Sequence, residues 1–240
     1  MAMKKRTKGN ITAPSLPGKD MLAEVNNNEA GNIYNSLFAK NRKVEYDNKD
    51  IALVNIRTNP DNQIFRAMDD DEDIRILAED IKRNGLMHNL VVFPEQEEGS
   101  AVYVLLSGER RFRALNYLQE KGDATWNIVN CNVVTTPLTE NEKKVLLYSA
   151  NLQVRGGFSD EAIRRQAIAE FITCLQREPY NMSREEALNA TKIVSTVNPR
   201  TIERDARIEE KLKGKLKTLL NDKFLTRSEC ETYLRFEADK

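Results

Sequence analysis

The chain has 240 residues, with 37 lysines and arginines against 37 aspartates and glutamates. This balance argues against a protein that coats nucleic acid through a uniformly basic surface, and the length allows one or two domains and a tail. No apolar stretch is long enough to span a membrane, and the N-terminus lacks the apolar core of a signal peptide, so we expect a cytoplasmic protein with no membrane partner. Three distant cysteines and a single histidine, His88, disfavour a zinc site or a disulfide framework.

Residues 1–45 read as a flexible basic arm. Lys4, Lys5, Arg6 and Lys8 precede a proline- and asparagine-containing stretch with too few apolar side chains to offset the entropy of ordering it. A short helix is predicted over residues 33–39. Such an arm either aids solubility or contacts a nucleic acid or a partner protein.

Residues 46–137 predict a small mixed α/β unit. Apolar runs predict strands over residues 51–56, 90–93, 101–106 and 128–134, with a turn at Asn59-Pro60-Asp61-Asn62 and a hairpin-like turn over residues 95–100. The acidic cluster at residues 69–73 predicts the start of an amphipathic helix that ends at Asn84-Gly85. The order of elements is therefore strand, helix, strand, strand, helix, strand.

Residues 138–240 predict an all-helical domain. Thr139 with Glu142, Ser183 with Glu186 and Thr226 with Glu229 have the spacing of capping boxes, and Ser159 is the predicted cap of a further helix reaching Leu175. Asn198 and Pro199 predict another helix start, with asparagine as the cap and proline in the first turn. No heptad pattern remains for a separate dimerisation module.

The helices on either side of Ser195-Thr-Val-Asn198 have the arrangement of a helix-turn-helix. The second carries a basic stripe at helical spacing, which could lie along DNA with its first turn reading bases. The predicted DNA-contacting residues are Ser195, Thr196, Asn198, Arg200, Thr201, Arg204, Arg207 and Lys211. The alternative is an ordinary helical hairpin whose charges are solvated, as Glu203, Asp205, Glu209 and Glu210 suggest.

The segment Ser107-Gly-Glu-Arg-Arg-Phe-Arg-Ala114 follows a predicted strand and opens a predicted helix. Such a turn brings free backbone N–H groups, the positive end of the helix and guanidinium groups together, which is typical of an anion site. Phosphate is the natural ligand, because the planar arginine fork matches phosphate oxygens. A plain solvated surface is the alternative.

Several segments together resemble the ParB chromosome and plasmid partition family. They are Asn59-Pro60 with Asn62-Gln63 and Arg66, Leu77-Ala-Glu-Asp-Ile81 with Gly85-Leu86, Ser107 to Ala114, Asn151-Leu-Gln153 with Arg155, and Ser183 to Leu212. The resemblance covers residues 51–234 in the family order. It implies an α+β fold, with a small mixed-sheet ParB/sulfiredoxin-like N-domain followed by an all-helical helix-turn-helix domain.

The resemblance implies an N-domain that binds CTP with Mg²⁺ and closes two protomers around double-stranded DNA. The implied phosphate-binding residues are Gly108, Glu109, Arg110, Arg111, Arg113, Asn151 and Arg155, with Asn151 also near the metal. The implied base loop consists of Gly85, Leu86, Met87, His88 and Asn89. Self-association through the N-domain and helices, and a ParA-like ATPase partner contacting the N-terminal arm, are further expectations.

Three departures from the family pattern bear on these expectations. His88-Asn89 stands where the family has Gln-Pro, which leaves the base specificity open. Ala150 stands where the family has an acidic residue beside Asn151, and Val154 is an extra residue before Arg155. Loss of that carboxylate predicts weakened metal binding and hydrolysis, so the chain is at most a weak CTPase.

Two other functions stay open on the sequence. Relatives of this N-domain include sulfiredoxin, a serine kinase and nucleases. Sulfiredoxin is disfavoured because Gly108-Glu109-Arg110 lacks its reactive cysteine, whereas kinase or nuclease chemistry would use Glu109 as the metal-bound carboxylate. The other alternative is a transcriptional repressor whose N-domain binds no nucleotide.

Overall fold

The computed structural model describes residues 44–66, 71–97, 100–154, 158 and 160–238. The strands are β1 Tyr46–Ala52, β2 Ile56–Arg57, β3 Leu90–Glu97, β4 Ser100–Ser107 and β5 Ile128–Val134. The helices are α1 Gln63–Arg66, α2 Asp71–Asn84, α3 Glu109–Glu120, α4 Glu140–Val154, α5 Glu161–Gln176, α6 Arg184–Val194, α7 Pro199–Lys211, α8 Gly214–Asn221 and α9 Arg227–Ala238. The predicted helix over residues 33–39, nearly all of the predicted arm, Arg155 and Ser159 lie outside the described residues.

The five strands form one mixed sheet in the order β1-β5-β3-β4-β2. β2 is parallel to β4, with Arg57 opposite Val104, whereas β3 is antiparallel to β4, with Val91 opposite Ser107. The end of β2, the end of β4 and the start of β3 therefore lie at the same edge of the sheet. The α+β class expected from the resemblance is confirmed.

The first strand differs from its prediction. The apolar run 51–56 predicts one strand, but β1 ends at Ala52 and a 3₁₀ turn over Leu53–Asn55 separates it from β2. Leu53 and Ile56 are buried at a spacing of three while Val54 between them is exposed, which suits a 3₁₀ turn rather than strand alternation. The polar start of β1 escaped prediction because β1 is an edge strand whose side chains are largely exposed.

Two apolar layers cover the two faces of the sheet. On one face α2 and α3 pack on β1, β3 and β5 through residues such as Ile81, Leu90, Leu115 and Val129. On the other face Leu147 of α4 packs with Phe93, Val104, Leu106 and Val134. This two-sided cover explains why β3 and β4 are strongly apolar, since both of their faces are buried.

Helix α4 is shared by the sheet and the helical part of the chain. Its Leu147 packs on the sheet, while Val145, Tyr148 and Leu152 join a second core built from α5, α6 and α7. Phe65 of α1 enters that second core and meets Tyr148 edge to ring at 5.8 Å. The predicted domain boundary at residue 138 stays a prediction. Helix α4 packs both on the sheet that precedes this boundary and on the helices that follow it.

Capping interactions set the starts of the helices much as predicted. The reciprocal capping box of Ser183 and Glu186 opens α6, and Thr139 with Glu142 and Thr226 with Glu229 form the same pattern before α4 and α9. Asn198 accepts the N–H of Arg200, and Pro199 begins α7. The cap of α5 is Asp160, one residue after the predicted Ser159, and its carboxylate accepts the N–H groups of Ala162 and Ile163.

The sequence did not predict the buried ion pairs that join α5 to α7, α8 and α9. Arg164 Nε lies 2.7 Å from Asp205 Oδ2, and Arg165, almost fully buried, lies 3.5 Å from Glu209 and donates to Asn221 of α8 at 2.8 Å. Arg227 of α9 also reaches Asp205, at 4.0 Å. Asp205 and Glu209 are thus buried partners of these arginines and not the solvated charges of the helical-hairpin alternative.

None of the helices within the described ranges is both long enough and apolar enough to cross a bilayer. The longest of them are α4 and α5, and each places charged residues among its apolar ones. Both helices bury their apolar side chains in the cores described above.

Candidate phosphate-binding site and helix-turn-helix

The Ser107–Ala114 segment has the strand-turn-helix form that the sequence predicts. β4 ends at Ser107, and Gly108 precedes α3 with φ 105°, a conformation that L side chains rarely adopt. A Cβ at Gly108 would lie 2.8 Å from Leu90 Cδ2 and 3.2 Å from Arg111 Nη2, so the close approach itself requires glycine. The first N–H groups of α3 find no acceptor within their own helix, as at any helix start.

The three arginines of the segment point to different partners. Arg113 Nη2 lies 2.9 Å from Asp71 Oδ1, and Arg110 Nη2 lies 3.7 Å from Asp73 Oδ2, so both face the first turn of α2. Arg111 turns the other way and donates through Nη1 to the carbonyl oxygens of His88 and Asn89, the latter at 2.9 Å. The segment thus offers two arginines beside exposed carboxylates and one that holds a loop.

The loop Gly85–Asn89 lies at the same sheet edge as Gly108, because it enters β3 where β4 ends. Gly85 ends α2 with φ 80°, Leu86 packs on the sheet core, and Met87 and His88 are exposed. The Asn89 side chain donates to Asn130 at 2.7 Å and to Asn132 at 3.4 Å, both on β5. The predicted base loop is therefore adjacent to the predicted phosphate segment.

Asn151 reaches this edge through the turn after β2. Its amide donates to Asn62 Oδ1 at 3.4 Å and to the carbonyl of Leu147 at 2.9 Å, and Asn62 is buried. Lys144 of α4 also meets Asp61 of the same turn at 3.1 Å. Asn151 therefore lies against the Asn59–Gln63 segment, while Arg155 lies outside the described residues.

Among the described residues, no group of three or more His, Cys, Asp or Glu side chains is arranged to hold a metal. Asn62 and Asn151 offer neutral amide oxygens, and Ala150 offers no ligand, whereas Mg²⁺ in proteins usually takes one or two carboxylates together with phosphate oxygens. Glu109, the carboxylate that an enzyme of this fold would use, is buried at the start of α3 and belongs to no such group.

Helix α6 ends at Val194 and α7 begins at Pro199, as predicted, and Ser195–Asn198 joins them. Arg200, Arg207 and Lys211 are exposed, and Thr196, Asn198 and Thr201 lie at or near the surface of the turn and the first turn of α7. Ser195 is buried, and its hydroxyl accepts the N–H of Val197, so it serves the turn. That this pair of helices reads DNA stays a prediction.

Arg204, in the middle of the basic stripe, is held by a neighbouring helix. Its guanidinium donates through two nitrogens to both carboxylate oxygens of Glu231 on α9, with Nη2 2.8 Å from Oε2. The hydrogen bond from Arg204 keeps the pKa of Glu231 below its ordinary value. Sequence spacing places Arg204 on the same face as Arg200 and Arg207, but it cannot reveal a partner 27 residues away in the chain.

Residues 37–142 match the family model of the ParB N-terminal domain. Two structures of a pNOB8-like ParB N-domain share the fold, each with 11% sequence identity to this chain. The first has a TM-score of 0.52, and the match covers 79% of this chain and 80% of the other chain. The second has a TM-score of 0.53, and the match covers 80% of this chain and 75% of the other chain. The C-terminally truncated ParB of Caulobacter crescentus, solved with CTP-γ-S, has 18% identity, a TM-score of 0.35, and coverage of 78% and 91%.

None of the curated proteins matches the chain. The family assignment depends on the domain match and on the segments that the fold places at one sheet edge. Residues 37–142 therefore belong to the family of ParB N-terminal domains.

Proposed function

We propose that this protein is a DNA-binding partition protein whose N-domain binds CTP at the sheet edge formed by the Gly85–Asn89 loop, Gly108 and the start of α3. It would act in plasmid or chromosome partition or in the maintenance of a mobile element. The observation that carries the nucleotide part is the turn at Gly108, where a positive φ and a 2.8 Å approach to Leu90 leave no room for a side chain. Such a turn at a helix start typically lets a phosphate approach the backbone.

Arg110 and Arg113 would supply the charge for the phosphates. In the structure they face Asp71 and Asp73, whose carboxylates are well exposed. Exposed ion pairs contribute little, so a triphosphate with several charges can replace these carboxylates at modest cost. Arg155 belongs to the proposal through the family resemblance.

We propose that the protein binds CTP but hydrolyses it slowly or not at all. Ala150 removes the carboxylate expected beside Asn151, and within the described part of the chain Glu109 belongs to no group of three or more His, Cys, Asp or Glu that could hold a metal. The chain would therefore retain phosphate contacts while having weak CTPase activity or none. This also disfavours the nuclease and kinase alternatives, both of which need a carboxylate on a metal.

Isothermal titration with CTP and the other nucleoside triphosphates tests this proposal. We expect CTP to bind the wild-type protein and Arg110→Ala to weaken binding at least tenfold, because a charge-assisted contact to phosphate is lost. Arg75→Ala is the matched control, since Arg75 pairs with Glu72 on the exposed face of α2. If the wild-type protein binds no nucleotide, the repressor alternative is favoured.

The DNA part of the proposal depends on the exposed first turn of α7. We expect Arg200→Ala to weaken binding to all duplexes and to reduce the slope of log K against log salt by about 0.9, the loss of one phosphate contact. Arg204→Ala should leave the slope nearly unchanged, because Glu231 already holds that guanidinium. Equal slope changes in the two variants would show that Arg204 leaves Glu231 to reach DNA.

Self-association through the N-domain and helices remains part of the proposal, as does a ParA-like ATPase contacting the N-terminal arm. The proposed division is an arm over residues 1–45, an N-domain over residues 46–137 and a helical DNA-binding domain over residues 138–240. Glu45, the last residue of the proposed arm, contacts the sheet, because its main-chain carbonyl accepts the N–H of Thr135 beside β5. Residues before Val44 lie outside the described part of the chain.

A further inference from the structure

Arg111 differs from the other two arginines of its segment. Its guanidinium is partly buried, and Nη1 donates to the carbonyl oxygens of two consecutive residues, His88 and Asn89. Burial lowers the pKa of Arg111 below its ordinary value, and arginine side chains keep their proton in proteins. Its nitrogen atoms are thus directed at backbone carbonyls of the loop.

Gly108 makes this position of Arg111 attainable. A Cβ on Gly108 would lie 3.2 Å from Arg111 Nη2 and 3.4 Å from its Cζ, so the guanidinium lies close against the glycine. The same turn that suits an approaching phosphate therefore also accommodates the side chain that crosses to the loop. Arg111 therefore connects the Ser107–Ala114 segment to the Gly85–Asn89 loop.

The Gly85–Asn89 loop is held from a second side. The Asn89 amide donates to Asn130 and Asn132 on β5, and Asn130 in turn donates to Asp50 of β1 at 2.9 Å. Arg111 binds the main chain of the loop, and Asn130 and Asn132 bind the side chain of Asn89, the last residue of the loop. Two carbonyls that accept from one cation fix the orientation of two consecutive peptide groups, the one after His88 and the one after Asn89.

We propose that Arg111 is a positioning residue that sets the conformation of the Gly85–Asn89 loop, and through it base selectivity, and is not a phosphate ligand. The selectivity part rests on the proposed nucleotide function, whereas the positioning part can be tested without nucleotide. Arg110 and Arg113, which face Asp71 and Asp73, are left to act on the phosphates. The division of roles follows from the opposite directions of neighbouring side chains on one helix turn.

His88 is the single histidine of the chain, so its imidazole gives one resolved set of proton NMR signals from within the loop. We expect Arg111→Gln to shift or broaden these signals in the nucleotide-free protein, and the matched variant Arg110→Gln to leave them in place. An unchanged His88 spectrum in Arg111→Gln would overturn the proposal. If Arg111→Gln does not fold, Arg111→Lys, which keeps the charge but loses the planar fork, takes its place.

Titrations with CTP and with inorganic tripolyphosphate then test the selectivity part. Arg111→Gln should weaken CTP about tenfold while changing tripolyphosphate affinity little, whereas Arg110→Gln should weaken both alike. Equal weakening of both ligands by Arg111→Gln would make Arg111 a phosphate ligand and overturn the proposal. If the wild-type protein binds tripolyphosphate but no nucleotide, the proposed CTP function and the selectivity part fail, and the His88 spectrum alone decides the positioning role.

Discussion

Replacing Arg164 with alanine is expected to lower the free energy of unfolding by about 3 kcal/mol. Arg164 Nε lies 2.7 Å from Asp205 Oδ2, and Asp205 has no exposed surface. The variant leaves this carboxylate buried with the longer 4.0 Å contact to Arg227. Removing the hydrogen-bonded partner of a buried charge is among the few single changes with so large an effect.

Urea unfolding of the Arg164→Ala variant beside Arg75→Ala measures this effect. Arg75 lies in an exposed pair with Glu72, so its variant should lose about 0.5 kcal/mol or less. Adding Asp205→Asn to Arg164→Ala should recover part of the loss, because the charge that lost its partner is gone. If Arg164→Ala costs no more than Arg75→Ala, this ion pair does not hold α5 on α7.

The deficit of Arg164→Ala should also depend on pH. Burial raises the pKa of Asp205 above its ordinary value, against the hydrogen bond and the charge of Arg164. Loss of Arg164 raises that pKa further, so the carboxyl group of the variant accepts a proton at a higher pH than before. The difference in unfolding free energy from wild type should therefore be largest at neutral pH and shrink as the pH falls through the raised pKa of Asp205.

The substitution Gly108→Ala is expected to cost about 2 kcal/mol and to disturb the proposed nucleotide site. The backbone has φ 105°, and the added Cβ meets Leu90 Cδ2 at 2.8 Å inside the core. Leu90 is completely buried, so its side chain has little freedom to move away. The same Cβ also displaces Arg111, so the His88 signals should shift as in Arg111→Gln.

Gly122→Ala is the matched control for this substitution. Gly122 has φ 88°, but a Cβ there would meet no atom within 4 Å. It therefore reports the backbone strain alone, about 1 kcal/mol, without the contact with Leu90. Equal unfolding free energies for the two variants would mean that the core moves to accept the Cβ at Gly108.

Local signals in the sequence predicted much of the fold. The interval 128–134 matches β5, the three capping boxes mark real helix starts, and Asn84-Gly85 ends α2. Each of these depends on interactions within a few residues of the chain. Predictions failed where the tertiary environment determined the secondary structure, as in the polar edge strand β1 and the 3₁₀ turn over Leu53–Asn55.

The sequence by itself determined that Gly108 opens an arginine-rich helix after a strand, and the resemblance associated that segment with Gly85–Asn89 and Asn151. Tertiary structure decided what each arginine does, because direction and partner depend on residues distant in the chain. Arg110 and Arg113 face α2, Arg111 holds the loop, and Arg204 is bound by Glu231. Residue type and spacing specify the face of a helix, whereas the partner across that face is set only when the elements pack.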